Sequence, residues 1–190
     1  MDSMILTIEN SLSSKNCKEI IDLFEKSKNL HAVGQTGQYL NNSKQKKSTD
    51  INIDSTFLLD PEWNSNITEI LNCLNFGIDS YVKKYPFVNS LDKWAMVPRF
   101  NIQRYCPGEG YYAWHCESGG PATRNRVLAW MIYLNDIADG GTEFAHGNES
   151  LTAKEGTLSV WPAHFTHYHR GIISQSNTKY IATGWYAYTE

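Results

Sequence analysis

Two short motifs in the second half of the chain carry side chains that could hold a metal ion. The first is Trp114-His115-Cys116-Glu117. On a β-strand, residues i and i+2 point to the same face, so this motif predicts that His115 and Glu117 point the same way. An imidazole and a carboxylate are two ligands of a 2-His-1-carboxylate triad, which leaves positions open on a non-haem Fe(II) ion. By itself, a His-x-Glu pair is more often a surface or hydrogen-bonded pair than a metal site.

The second motif is His164-Phe-Thr-His167-Tyr-His169-Arg-Gly171, which holds three of the six histidines of the chain. His167 and His169 would share a strand face, so the pattern alone leaves the choice of a ligand between them open. A hydrogen-bonded ladder of histidines would explain the cluster without a metal. A zinc site is the competing metal interpretation, although zinc often takes closed His/Cys sites and no cysteine is near in sequence.

A third feature is a lysine in the strand-like stretch Lys179-Tyr-Ile-Ala-Thr183-Gly-Trp185. The residues predicted to share one face of this strand are Lys179, Ile181, Thr183 and Trp185. A lysine that faces inward among apolar side chains is costly unless it meets an anion. Alternatively, Lys179 lies near the strand start and reaches back to water. Beside a metal site, an inward cation suits a dicarboxylate cosubstrate.

The ordered set of motifs resembles the Fe(II)- and 2-oxoglutarate-dependent oxygenases, specifically the prolyl 4-hydroxylase-like branch in its compact bacterial and phage form. The resemblance covers residues 97–188 and, more loosely, the whole chain. Each motif is weak alone, and the order and spacing of the set make it specific. The motifs are Tyr105–Tyr111, His115-x-Glu117, Val127–Asn135, Gly140–Phe144, Gly156, Trp161-Pro162, His169-x-Gly171, Lys179 and Trp185.

The resemblance implies that His115, Glu117 and His169 are the iron ligands. His169 is preferred to His167 because it lies ten positions before Lys179, which is the spacing common in the family. The acidic ligand of the family is usually Asp, and Glu117 keeps the carboxylate while lengthening its reach by one methylene.

The resemblance also implies a pocket for 2-oxoglutarate. Lys179 matches the residue that pairs with the far carboxylate of this cosubstrate, and Tyr133 matches a tyrosine that hydrogen-bonds it in some relatives. Tyr105 matches a tyrosine near the cosubstrate and the substrate entrance. Thr183 and Trp185 are expected to line the same cavity.

The function implied is that of an Fe(II)/2-oxoglutarate dioxygenase that uses O2 to hydroxylate a prolyl residue in a peptide or protein and releases succinate and CO2. Ascorbate is a further candidate as reductant. A lysine at position 179, in place of arginine, favours peptidyl proline as the substrate. The alternatives are an oxygenase acting on a nucleobase or small molecule, a cupin-like jelly roll that binds metal or ligand without catalysis, and a virion or host-interaction protein that keeps only the fold.

Two amphipathic helices are expected to support these motifs. The first helix follows Ser13 or Ser14 and carries an apolar stripe with helical spacing, formed by Cys17, Ile20, Ile21 and Phe24. The second extends from about Pro61 to Lys84. Residues 4–9 predict a short strand. The polar stretch Asn29–Ser55 predicts an extended or looping segment, whose lysines Lys44, Lys46 and Lys47 are either solvated or part of a rim that faces the substrate.

The remaining segments are rich in Val, Ile, Thr and aromatic residues. Strands are predicted at 96–106, 110–117, 126–135, 157–161, 164–173 and 178–188. This pattern favours an antiparallel sandwich or barrel of the α+β class, mainly β, with the N-terminal helices packed on one sheet. The resemblance makes it a double-stranded β-helix (jelly roll). The expected organisation is a single domain over 1–190, with helical support and a substrate-side loop in 1–93 and the catalytic core in 94–190.

Length and composition limit the remaining choices. A chain of 190 residues with 41% hydrophobic residues suits one folded domain. No apolar run approaches the roughly 18 residues of a membrane span, and no signal peptide is evident at the N-terminus. Four cysteines without a CxxC pair favour a reducing cytoplasm. A net charge of −3 disfavours nucleic acid as a partner.

Overall fold

The structure is a computed structural model that describes residues 2–36, 43–147 and 149–189. Its α-helices are α1 (Ser14–Lys26) and α2 (Asn64–Lys84). The hydroxyl of Ser13 accepts a hydrogen bond of 3.2 Å from the backbone N–H of Asn16, which caps α1. The predicted apolar stripe of α1 faces the interior. Helix α2 begins three residues later than predicted, because Pro61 belongs to the preceding turn.

The strands were predicted in part. Those among the described residues are β1 (Leu6–Ile8), β2 (Ala32–Val33), β3 (Lys46–Lys47), β4 (Thr49–Ile53), β5 (Trp94–Met96), β6 (Phe100–Tyr105), β7 (Gly110–Tyr111), β8 (Arg126–Tyr133), β9 (Ile137–Phe144), β10 (Ser150–Ala153), β11 (Leu158–Pro162), β12 (His169–Ile172) and β13 (Lys179–Tyr188). Short 3₁₀ helices are formed by Lys28–Leu30, Ser55–Leu58, Pro86–Ser90 and Phe165–His167.

Antiparallel pairing joins the strands into sheets. The large sheet has the order β1-β11-β8-β13-β6-β4-β2, with β5 paired to the end of β13. A three-stranded sheet has the order β10-β9-β12, and β3 pairs with β7. The longest strands of the large sheet, β8 and β13, lie side by side in its middle.

Alternate residues of the large sheet build two separate cores. On β8, Leu128, Trp130 and Ile132 pack with side chains of both helices, whereas Met131 and Tyr133 face the three-stranded sheet. This is the period of two expected of a strand buried on both faces. The helices therefore cover one face of the large sheet, as the sequence predicts, and the other face is left for the site.

The stretch Asn29–Ser55, predicted as an extended or looping segment, contains β2, β3 and β4, which were not predicted as strands. Strand β4 pairs with β6 inside the large sheet. Residues 37–42 of this stretch lie outside the described residues. The expectation of a solvated Lys46 is wrong, since Lys46 is buried in an ion pair of 2.9 Å with Asp50. Lys46 lines the cavity described below, so the alternative of a rim that faces the substrate stays a prediction. Strand β4 was not predicted because Asp50, one of its buried residues, is polar. Buried polar groups that hydrogen-bond to one another interrupt the apolar alternation by which a strand is identified.

Other predicted strands are shorter in the structure, which also contains strands that were not predicted. Of the predicted strand 110–117 only β7 is found, and of 164–173 only β12. Strands β9 and β10 were missed. In β9, Gly141 has a φ of +140°, and a Cβ there would lie 2.1 Å from a backbone oxygen of β10, so only glycine fits this position. Among the described residues, no helix is long and apolar enough to cross a membrane.

Candidate active site

Three predicted ligands, His115, Glu117 and His169, converge at one end of the space between the sheets. One ligand atom from each lies within 4.8 Å of the others. Oε1 of Glu117 is 3.4 Å from Nε2 of His115 and 3.4 Å from Nε2 of His169. Two imidazoles and one carboxylate at this spacing are the donor set of a 2-His-1-carboxylate site.

Backbone pairing brings the two histidines together. His115 forms an isolated antiparallel bridge with His169, through N–H···O bonds of 3.0 and 2.8 Å. Glu117 lies in the turn that follows and not on a strand. The predicted common direction of His115 and Glu117 is therefore found, but the strand argument that led to it is wrong, because the turn carries the carboxylate back to the imidazoles.

Backbone carbonyls fix the orientation of both rings. Nδ1 of His115 donates to the carbonyl of Ala113 at 3.0 Å, and Nδ1 of His169 donates to that of His167 at 2.9 Å. A carbonyl only accepts, so Nδ1 carries the proton and each Nε2 presents its lone pair to the centre. The imidazoles are thus held in the tautomer that a metal ion requires.

The charges of the triad also suit a cation. Burial would raise the pKa of Glu117, but its contacts with His115 and His169 outweigh burial and hold that pKa well below its ordinary value. Burial and the neighbouring His169 lower the pKa of His115. Near neutral pH the site therefore offers a carboxylate and a neutral imidazole at these positions, which are the forms that bind metal.

The second carboxylate oxygen of Glu117 is bound by the protein. Oε2 accepts a hydrogen bond of 2.7 Å from the indole N–H of Trp185 and one of 3.2 Å from Nη1 of Arg126. The guanidinium carbon of Arg126 lies 3.6 Å from the centre of the Trp185 ring. Only Oε1 of Glu117 is therefore directed at the imidazoles.

Aromatic rings enclose the two histidines. Tyr111 stacks on His115 with ring centres 3.6 Å apart and planes 9° from parallel. Trp161 and Phe144 contact the ring of His169, with centres at 5.2 and 5.6 Å. Sequence analysis missed the roles of Tyr111 and Arg126. Both contacts depend on the tertiary fold, so no spacing in the sequence could have identified them.

The triad opens into a cavity of about 1300 Å³ between the sheets. All four residues predicted to share a face of β13 line it, namely Lys179, Ile181, Thr183 and Trp185. Tyr105 also lines it, and its hydroxyl donates to Oε1 of Gln103 at 2.7 Å. The Thr183 hydroxyl donates to a backbone carbonyl at 2.9 Å.

Tyr133 lies behind the cavity wall. Its side chain is fully buried, and its hydroxyl donates to Oγ1 of Thr142 at 2.8 Å. Thr142 lines the cavity, whereas Tyr133 does not. The predicted hydrogen bond from Tyr133 to a cosubstrate stays a prediction. Of the two residues in this hydrogen-bonded pair, Thr142 is the one at the surface of the cavity.

Lys179 is the most unusual group in the cavity. Only 5% of it is exposed, which excludes the alternative in which it reaches water. Its ammonium group donates to the carbonyls of Gly141 and Ile172 at 3.2 and 3.3 Å, and it pairs with no carboxylate in the described part of the chain. Burial lowers the pKa of Lys179 to about 8. A buried cation without a counter-charge marks a place where an anionic ligand is stabilised.

The other two histidines of the second motif do not join the triad. His167 ends the 3₁₀ helix Phe165–His167, so the prediction that His167 and His169 share a strand face is wrong. Nε2 of His167 lies 2.8 Å from the carbonyl of Ser3, away from the centre. His164 is exposed at the start of the same 3₁₀ helix.

The fold and the site together place a group of side chains that could hold a metal ion in the same cavity as a buried cation. Residues 100–187 match the family model described as the 2OG-Fe(II) oxygenase superfamily. The matched segment contains the whole triad and Lys179. This segment is similar to the 2OG-Fe(II) oxygenase superfamily, which confirms the resemblance and the prediction of an oxygenase. None of the curated protein sequences matches the chain at a significant level.

Solved structures with a similar fold include three prolyl hydroxylases. A viral collagen prolyl hydroxylase from Paramecium Bursaria Chlorella virus-1 is 20% identical, with a TM-score of 0.70 over 97% of this chain and 96% of that chain. A Pseudomonas putida prolyl-4-hydroxylase is 13% identical, with a TM-score of 0.69 over 98% and 93%. A Trichoplax adhaerens prolyl hydroxylase, in complex with a peptide fragment of the hypoxia inducible factor oxygen degradation domain, is 15% identical, with a TM-score of 0.72 over 96% and 83%. These likenesses confirm the predicted jelly-roll fold.

Proposed function

We propose that this protein is an Fe(II)- and 2-oxoglutarate-dependent dioxygenase that hydroxylates a prolyl residue of a peptide or protein and releases succinate and CO2. One observation carries the proposal. A 2-His-1-carboxylate ligand set and a buried lysine without a counter-charge share a single cavity. A metal site alone would not require Lys179, whereas a dicarboxylate that also binds the metal accounts for both features.

His115, Glu117 and His169 are the proposed iron ligands. Their lone pairs and charge suit Fe(II), and one face of ligands leaves the opposite positions for the cosubstrate and O2. When both are bound, iron and 2-oxoglutarate supply the oxidising chemistry, in which O2 converts 2-oxoglutarate to succinate and CO2 and a substrate C–H group to C–OH. The aromatic rings around the histidines cover part of their surface from solvent.

Lys179 is the proposed anchor for the far carboxylate of 2-oxoglutarate. Tyr105, Thr183 and Ile181 form the wall beside it. A carboxylate would supply the counter-charge that the ammonium group lacks among the described residues, where its contacts are two carbonyls and the Tyr105 ring, whose centre is 5.3 Å away. Tyr133 and Trp185 belong to the predicted cosubstrate residues as well, and their assignment stays a prediction. Ascorbate as reductant and a cytoplasmic location also stay predictions.

A proline-containing peptide or protein is the proposed partner. The similar structures are those of prolyl hydroxylases, and the one from Trichoplax adhaerens was solved with a peptide fragment. The cavity of about 1300 Å³ exceeds the size that a small dicarboxylate fills, so room remains for a substrate side chain. Trp114, which lines the cavity and is 40% exposed, carries the Arg170 guanidinium 4.5 Å from its ring centre. This pair offers a flat surface for an extended segment.

Anaerobic titration with Fe(II) and 2-oxoglutarate, followed by visible absorbance, tests the site. A weak metal-to-ligand charge-transfer band is expected in the native protein. The band should be lost in His169→Ala and kept in His167→Ala, because only His169 faces the centre. A band that survives His169→Ala, or that requires His167, would contradict the ligand assignment.

Mass spectrometry tests the substrate class. In air, the loaded protein should form succinate and add 16 mass units to proline in a proline-containing peptide, and Lys179→Met should abolish both products. A matched peptide with alanine in place of proline is the control. Succinate formation stimulated by nucleosides or small metabolites, but never by peptides, would contradict the prolyl assignment while leaving the oxygenase in place.

A further inference from the structure

The acidic ligand of the proposed iron site carries one methylene more than the aspartate usual in the family. A glutamate has an additional rotatable bond, so its carboxylate must be restrained if it is to offer the metal a single oxygen. The structure shows such a restraint on Glu117. Oε2 is held by Trp185 at 2.7 Å and by Arg126 at 3.2 Å, while Oε1 lies 3.4 Å from both imidazole Nε2 atoms.

The two donors to Glu117 brace each other. The guanidinium of Arg126 lies flat over the indole of Trp185, 3.6 Å from its centre, and Nη1 also donates to the backbone carbonyl of Glu117 at 3.2 Å. Arg126 therefore bridges the carboxylate of Glu117 and the backbone carbonyl of the same residue. Stacking on the indole presents the guanidinium edge to the carboxylate.

Neighbouring strands carry the two donors. Trp185 lies on β13 and Arg126 on β8, and the register pairs Trp185 with Ala129 and Ala187 with Arg126. A site carried by central strands of a sheet is held more precisely than one carried by loops. Glu117 itself lies in a turn, so this hydrogen-bonded support from the sheet fixes a ligand that its own backbone segment would hold less firmly.

We propose that Trp185 and Arg126 form a clamp matched to the length of a glutamate, and that Trp185 is a positioning residue for the metal ligand. The clamp keeps Oε2 away from the metal and fixes Glu117 as a one-oxygen ligand. This inference rests on the proposed function of the triad. An aspartate at position 117 would withdraw the carboxylate by roughly one C–C bond, about 1.5 Å, and would break the 2.7 Å contact with the indole.

A double-mutant cycle on metal affinity tests the clamp without relying on catalysis. The variants are Trp185→Phe, Glu117→Asp and the two combined, and Co(II) serves as the probe because its binding is visible by absorbance. Trp185→Phe keeps a ring under Arg126 and removes the N–H donor. Loss of one hydrogen bond to a charged group is expected to weaken Co(II) binding about tenfold in the native background. In the Glu117→Asp background the same change is expected to alter affinity less than twofold, since the contact is already absent.

Trp94→Phe is the matched control. The indole N–H of Trp94 donates to the backbone carbonyl of Val88 at 3.2 Å, so this substitution also removes an indole hydrogen bond, but Trp94 does not line the cavity. Its replacement should change Co(II) affinity less than twofold. The Co(II) absorption spectrum should change in Trp185→Phe and stay unchanged in Trp94→Phe, because only the former removes a donor from the second oxygen of Glu117.

The possible results distinguish a failure of the clamp proposal from a failure of the proposed metal site. Equal losses for Trp185→Phe in the native and Glu117→Asp backgrounds, or no loss in either, would overturn the clamp and leave the metal site intact. Losses as large in Trp94→Phe would show that the loss of any indole hydrogen bond weakens Co(II) binding, and would also overturn the clamp. Co(II) binding that survives His169→Ala would overturn the proposed metal site together with the clamp.

Discussion

Lys179 and Lys46 are buried to the same extent, each 5% exposed, in opposite electrostatic situations. Lys46 pairs with Asp50 at 2.9 Å. The ammonium of Lys179 contacts two carbonyls and the Tyr105 ring, whose centre is 5.3 Å away, and it has no carboxylate partner among the described residues. Burial lowers the pKa of Lys179 from 10.5 to about 8. Such a shift corresponds to about 3 kcal/mol of destabilisation of the charged form in the folded, ligand-free protein.

The sign of the pH dependence follows from proton binding. The unfolded chain keeps the proton on Lys179 to a higher pH than the folded protein, so the penalty is fully present below about pH 8 and fades as the pH approaches 10.5. Lys179→Met is therefore expected to raise the free energy of unfolding of the ligand-free protein by about 3 kcal/mol near pH 7 and by about half as much near pH 9.5. Lys46→Met should lower it by about 3 kcal/mol or more, because Asp50 is left buried without its partner.

Urea unfolding, followed by circular dichroism on protein without metal or cosubstrate, measures both effects. The cosubstrate gives a second measurement on the same residue. Only the protonated Lys179 attracts a carboxylate, so the affinity of the metal-loaded protein for 2-oxoglutarate should be constant below about pH 8 and fall by up to tenfold per pH unit above it. Lys179→Met should lose about a hundredfold in this affinity and most of its dependence on pH in this range.

Two outcomes would refute this reasoning. If Lys179→Met and Lys46→Met destabilise the protein alike, Lys179 is not an uncompensated charge. If 2-oxoglutarate binds Lys179→Met as tightly as the native protein, the ammonium is not its anchor.

Two further predictions concern the support of the site. Tyr111→Leu should weaken Co(II) binding several-fold because it removes the ring stacked 3.6 Å from the His115 ring, while Tyr111→Phe, which keeps the ring, should bind Co(II) normally in the same titration. Gly141→Ala should destabilise the protein by more than about 2 kcal/mol in urea unfolding, since alanine strains the backbone at a φ of +140° and its Cβ meets a backbone oxygen at 2.1 Å. Gly120→Ala, whose Cβ would meet no atom within 4 Å, is the control. Equal effects of the two glycine substitutions would contradict the argument from backbone strain.

The chemistry of the site could be predicted from the sequence to the extent that it is local. Alternation along one strand predicts that Lys179 and Trp185 share a face, and both line the cavity. The clustering of three histidines predicts a ligand near residue 169, and the ordered motifs imply which one. The contact partners of these residues could not be predicted. Arg126 and Tyr111 reach the ligands through tertiary contacts that no periodicity records.

The polar strand β4 shows why part of the fold was missed. Hydrophobic periodicity identifies strands whose buried positions are apolar, as on β8. On β4 a buried position is occupied by Asp50, whose carboxylate receives hydrogen bonds from Lys46, Ser48 and Gln103 at 2.9, 2.6 and 3.0 Å. Each of these polar residues is favourable only because the others are present. The sequence shows them singly, as residues typical of a loop.

The two faces of the large sheet divide stability and chemistry between them. The helix-facing side chains of β8, such as Trp130 and Ile132, lie in an apolar core with α1 and α2. The opposite face carries charges, including Lys179, that are incompletely neutralised without a ligand. Binding of cosubstrate and metal to that face should therefore raise the free energy of unfolding, because the ligands supply the missing counter-charges. The buried charges that destabilise the ligand-free protein therefore lie where ligands can neutralise them. The apolar core on the helix-covered face stabilises the fold independently of those ligands.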